Sequence, residues 1–182
     1  MTKNISMYER AMGESFGFLA PALQQFHRLA GQNELHGLVS IHAPKSFLAR
    51  LLARLLGTPL AACKGPIRFE LDAQPLAETW RRYFPSHVMT SRLQLVGEHI
   101  VENLGAARLT FALIEKNGQL SMQLCHLHFF GLPCPEWLMP RLVAEESGRN
   151  GRVDFHVRAE VPYLGAVAGY NGYLLLPKAV SA

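Results

Sequence analysis

Residues 108–130 read RLTFALIEKNGQLSMQLCHLHFF, and this stretch specifies both a β-hairpin and its register. Asn117-Gly118 is the strongest short hairpin signal, because a type I′ turn needs φ > 0 at both central residues. With these two as the turn, Lys116 is expected opposite Gln119, Leu113 opposite Met122, Phe111 opposite Leu124, and Leu109 opposite His126. Side chains alternate across a strand. One face is therefore almost wholly apolar until it meets His126 and His128, which are expected to point toward the core or toward a cavity within it.

The same period of two extends on both sides of the hairpin. Upstream, Ile67, Phe69 and Leu71 alternate with Arg68, Glu70 and Asp72, and Glu78, Trp80, Arg82 and Phe84 alternate with Thr79, Arg81 and Tyr83. Pro85 ends that strand. Residues 88–96 and 99–104 flank Gly97-Glu98, a hairpin turn of the glycine-first kind. Downstream come a proline-rich corner, GLPCPEWLMP, then strands over 141–146, 152–161 and 166–176. A strand at 34–42 precedes the series.

Helices are confined to the N-terminal third. Ser6-Met7-Tyr8-Glu9 has capping-box spacing, and Pro21 is a favoured first-turn residue for a helix whose apolar face is Leu19, Ala22, Leu23, Phe26, Leu29 and Ala30, ended by Gly31. Residues 46–56, SFLARLLARLL, form the clearest helix, stopped by Gly57 and Pro59. Its polar face is only Arg50 and Arg54, so it is read as a core helix covering the sheet, with a partner or lipid surface as the alternative. Nine or ten sequential antiparallel strands tend to curl or close, which removes exposed edges. The expected fold is α+β: a large curved antiparallel sheet or partly open barrel with two to three N-terminal helices, in one domain over 1–182.

Composition narrows the function classes. Of 182 residues, 49% are hydrophobic and 18% charged, a globular balance. Apolar runs fall short of the roughly 18–20 residues of a membrane-spanning helix, and the N-terminus, MTKNISMYERAMGE, carries charges where a secretory signal needs its apolar stretch. Cys63, Cys125 and Cys134 match neither a disulfide framework nor a zinc finger, so a reducing cytoplasm is expected. The formal charge of +4 comes from scattered basic residues without a stripe, which argues against nucleic-acid binding.

Read from Glu78, the run ETWRRYFPSHVMTSRL, then the hairpin, FFGLPCPEWLMPRL and VPYLGAVAGYNGYL resemble the bacterial family called domain of unknown function 4166. The resemblance covers nearly the whole chain, including LARLLARLLGTP. It carries no reaction. It implies an accessory role beside a dehydrogenase, because some members are fused to NAD(P)-binding domains. This chain lacks a G-x-G-x-x-G after a strand, so an NAD(P)-dependent oxidoreductase partner would be a separate polypeptide.

Nucleophile elbows, H-E-x-x-H and phosphate loops are absent from the sequence, and no cofactor or metal is expected. His126 and His128 offer two imidazoles but no third ligand by spacing, and His156 falls on a charged face. Trp80 and Arg82 share a face, a combination that can hold an anionic head while burying an apolar body. Trp137 lies in a proline-stiffened segment read as a rigid corner packing onto the core, with a lid or docking surface as the alternative. The candidate pocket is therefore Trp80, Arg82, Arg92, Phe111, Met122, His126, His128 and Trp137. It suits a non-catalytic domain that binds an apolar or amphiphilic small molecule or docks to the dehydrogenase-like partner. A small acid-base enzyme in the same cavity and a protein-interaction module are the rivals.

Overall fold

Glycine and asparagine at positive φ close most of the hairpins that the alternation calls for. The computed structural model describes residues 5–177; residues 1–4, which open the N-terminal stretch discussed above, and residues 178–182 lie outside the described residues. Strands β1 (Gly31–Ile41), β2 (Cys63–Gln74), β3 (Ala77–Phe84), β4 (His87–Val96), β5 (His99–Leu104), β6 (Ala107–Lys116) and β7 (Gln119–Phe129) are followed by the two-residue β8 (Leu132–Pro133). Then come β9 (Arg141–Arg149), β10 (Arg152–Val161) and β11 (Gly165–Leu175). All pair antiparallel in one 11-stranded sheet. Because β6 pairs with β7 as well as β5, and β7 with β9, the sheet closes into a barrel with β8 as an appendage on β7.

Closure is uneven around the ring. The β7–β9 pairing is confined to Leu120↔Glu146 and Ser121↔Glu145, and beyond it the strands diverge around the proline-rich segment. The β1–β11 seam is the opposite case, since Gly37 pairs with Leu174 and Gly172 with Val39 at very close backbone approach. Along β2, Ile67, Phe69 and Leu71 are buried inside while Arg68, Glu70 and Asp72 face out. That is the reverse of the apolar exterior a lipid-spanning barrel needs.

The opening hairpin forms as its turn dictates. Asn117 and Gly118 have φ of 53° and 79°, and Lys116↔Gln119, Leu113↔Met122 and Phe111↔Leu124 are paired. The expected Leu109–His126 pair does not form. The register shifts between Thr110 and Phe111, so that Thr110 faces His126, Leu109 faces Leu127 and Arg108 faces His128. An extra residue on one strand of a pair inverts the alternation beyond it.

Helices cap the two ends. At one end α1 (Met7–Met12), a 3₁₀ turn (Gly13–Phe18) and α2 (Pro21–His27) form a floor. The α1 capping box is complete: the Ser6 hydroxyl accepts from the Glu9 amide (3.2 Å) and the Glu9 carboxylate from the Ser6 amide (3.1 Å). Ala20 N–H donates to the Gly118 carbonyl at the tip of the opening hairpin. At the other end lies α3 (Phe47–Leu56), N-capped by the Ser46 hydroxyl and closed by Gly57 in the left-handed region.

The reading of α3 as a core helix needs correction. It docks through its alanines: Ala49 and Ala53 are fully buried, Ala49 against Val161 and Val167. Phe47, Leu48, Leu51 and Leu55 remain exposed. Trp137 is likewise not packed onto the core but 68% exposed, in a short 3₁₀ turn at Glu136–Leu138.

Candidate functional site

The barrel encloses a cavity of about 420 Å³, within the range of roughly 300–1,000 Å³ typical of small-molecule sites. Its walls are apolar: Phe69, Trp80, Met89, Leu93, Phe111 and Met122 from the first seven strands, and Phe155, Val157 and Tyr170 from the last two. Leu48, Leu51, Leu52 and Leu55 of α3 form its mouth, together with Cys134, Leu138 and Pro140.

A few polar groups interrupt this lining. Arg82 is buried, donates to the Ser91 hydroxyl (3.0 Å), lies 4.0 Å from Glu102, and sits over the Trp80 ring at 4.9 Å. The Trp80 indole N–H donates to Glu78 (2.7 Å). Toward the floor, His27 Nε2 lies 2.7 Å from Glu146, and the Tyr8 ring stacks on His27 with centroids 3.8 Å apart. Among the described residues the Tyr8 hydroxyl is the buried side-chain polar atom left without a hydrogen-bond partner. Burial, and after it the carboxylates of Glu78, Glu146 and Glu102, hold that phenol well above its usual range.

Burial pushes the Glu78 carboxyl up to about 7 and Glu146 adds to the rise, while His27 and the Trp80 N–H act against it. Native Glu78 thus keeps a proton that the unfolded chain has already lost. Between about 4.5 and 7 stability must therefore fall as pH rises, levelling off above the folded value. Glu78→Gln, which keeps an acceptor for the indole, should remove this slope. At pH 8 it should be more stable than the parent by about 3 kcal/mol, from roughly 1.4 kcal/mol per pH unit over the interval from 4.5 to about 7. Thermal or urea unfolding at pH 5 and pH 8 reads this out, and equal pH slopes would contradict it.

Of the eight residues expected in the pocket, Trp80, Arg82, Phe111 and Met122 line the cavity. The other four do not. Beyond the register shift Leu127 and Phe129 face the cavity, so alternation turns His126 and His128 to the outer face, where His126 is exposed. Arg92 is exposed and pairs with Thr79 on the outside of the barrel. Trp137 stands outside the mouth. Among the described residues no group of three or more His, Cys, Asp or Glu is placed to hold a metal ion.

Sequence reasoning missed Glu146, His27 and Tyr8, and it left open whether Glu102, a carboxylate considered for acid-base work, reaches the cavity. Glu78 shares parity with Trp80 and Arg82, so its inward position was readable. Glu102 and Glu146 carry no such signal, because each lies on a strand of mixed polarity.

The family model described as Domain of unknown function (DUF4166) matches residues 19–174. No curated protein matches the chain in sequence. Among solved structures, the chain is similar to the crystal structure of Rv2717c from M. tuberculosis. The likeness has a TM-score of 0.49 and 10% sequence identity, over 88% of this chain and 99% of that chain.

Proposed function

The chain belongs to the DUF4166 family, and from the chemistry of its barrel interior we propose that it binds one apolar or amphiphilic small molecule without transforming it. The observation that carries this reading is the cavity itself: about 420 Å³ of apolar-walled space with a small polar cluster and a mouth of leucines. Convergent polar groups in an apolar cleft fix a ligand's orientation, while the walls supply the affinity.

The polar cluster also argues for the kind of head group. The Arg82 guanidinium is already engaged by Ser91 and Glu102, and Glu146 also faces the cavity. A ligand carboxylate would meet two carboxylates for one matched cation. A neutral head that both donates and accepts, such as a hydroxyl or an amide, fits better than the anionic head expected from Arg82 alone. Native mass spectrometry of the purified protein, followed by titration with a long-chain alcohol and the matching fatty acid at pH 7.5, tests this. We expect a one-to-one adduct, with the alcohol bound at least tenfold more tightly. Failure of both to bind saturably would refute the reading.

The rival acid-base enzyme needs a carboxyl titrating near neutrality in contact with substrate. Glu78 titrates there, but it is held by the Trp80 indole and is not among the residues facing the cavity. An accessory role beside an NAD(P)-dependent partner, implied by the family resemblance, would use the barrel as the carrier that presents the molecule. Three free cysteines suit the reducing cytoplasm in which we place it. Among the described residues no helix is long and apolar enough to cross a membrane.

A further inference from the structure

We infer that the α3 end of the barrel is a docking surface for the face of an anionic lipid bilayer. Several of the large side chains that the fold leaves uncovered gather at this end: Phe47 is 79% exposed, Leu48 55%, Leu132 71%, Trp137 68% and Tyr163 90%, whereas Phe18 at the opposite end is exposed singly. They come from three segments that the structure ties together. The Ser46 hydroxyl donates to the Leu164 carbonyl, and Leu138 packs with the Ala49 cluster. Monomeric proteins seldom leave such an apolar patch open unless it has a partner.

Charge identifies the occupant. Between Glu34 and Glu70 the chain has no acidic residue, while Lys45, Arg50, Arg54 and Lys64 are exposed and make no ion pair among the described residues. Arg50 and Arg54 flank the leucine face of α3, with aliphatic stems that can lie along it while their charged ends reach lipid phosphates. Trp137 and Tyr163 are residues that favour the headgroup level. Glu136 is the acidic residue beside Trp137. A second copy is a poor occupant, because a two-fold interface would set the same unpaired cations of both copies against each other.

A helix of this length is weak as an interfacial anchor, and stable attachment needs a second signal. The Trp137 segment and the basic residues supply it. The docked surface is also the cavity mouth, so a molecule could pass between bilayer and barrel without crossing water. Only that last step rests on the ligand-binding reading.

Co-sedimentation of the full chain with vesicles of phosphatidylglycerol and phosphatidylcholine in equal parts, against phosphatidylcholine alone, tests the docking. Binding should be at least tenfold stronger to the anionic vesicles and weaken with salt. Each basic residue near the surface contributes about fivefold, so Arg50→Gln/Arg54→Gln should lose at least tenfold. Phe47→Ser and Trp137→Ser should weaken binding with unchanged circular dichroism and melting temperature, since both side chains are solvent-exposed. Equal partitioning of parent and variants, no sedimentation, or a dimer that Phe47→Ser dissolves would overturn the inference. Ligand binding in vesicle-free solution reads the cavity separately, so either proposal can fail alone.

Discussion

Gly37→Ala should prevent the barrel from closing, with a loss of more than about 4 kcal/mol, in the exceptional range for one substitution. A β-carbon at position 37 would lie 1.7 Å from the Tyr173 carbonyl oxygen and 3.1 Å from the Leu174 α-carbon. Both obstacles are backbone, so no rotamer change relieves them. Across the seam, a β-carbon at Gly172 would lie 2.1 Å from the Leu38 carbonyl oxygen. Glycine on both strands thus lets the first and last strands of the barrel meet. Glycine within a strand weakens it unless close backbone approach requires it, and here it does. Urea unfolding followed by circular dichroism reads the effect. Gly17→Ala, with open space around its would-be β-carbon, serves as a near-neutral control. A Gly37→Ala protein melting within a few degrees of the parent would mean that β1 and β11 do not meet in this way.

Arg82→Met should destabilise the protein by about 3–5 kcal/mol at pH 8, the usual cost of removing one partner from a buried ion pair. Arg82 is 9% and Glu102 15% exposed at the side chain. Without the guanidinium, Glu102 faces an apolar cavity uncompensated, and Ser91 loses its donor. Replacing both residues, Arg82→Met with Glu102→Met, should restore much of the loss, since an apolar pair in place of a buried ion pair is often neutral or stabilising. A double variant no better than the single one would show that the two residues do not act as a pair.

The parts of the fold that local chemistry controls were legible. Asn117-Gly118 fixed the hairpin tip and the nearest pairs, and the alternation around Trp80 and Arg82 placed both residues inside. The bulge near Cys125 leaves a trace, since the apolar parity of Leu120, Met122 and Leu124 passes to Leu127 and Phe129, but a register counted outward from the turn runs straight through it. A single extra residue then turned His126 and His128 outward. Arg92 was misplaced for a different reason. Its partner across the β3–β4 hairpin is Thr79, and Thr79 had already been assigned to the face opposite Trp80. Periodicity gave α3 an apolar stripe but not what covers it. Its two alanines permit the close approach to β11, and the leucines are left for the mouth.

The central claim, that the barrel interior admits an amphiphile, is tested most directly by tryptophan quenching. The chain has two tryptophans: Trp80 on the cavity wall and Trp137 outside the mouth. In Trp137→Phe, Trp80 is the sole tryptophan, and a long-chain alcohol brominated at mid-chain quenches it only on contact. Saturable quenching that reaches its limit at one alcohol per protein is the expected result. Undiminished Trp80 emission throughout the titration, with the alcohol kept in true solution, would contradict it.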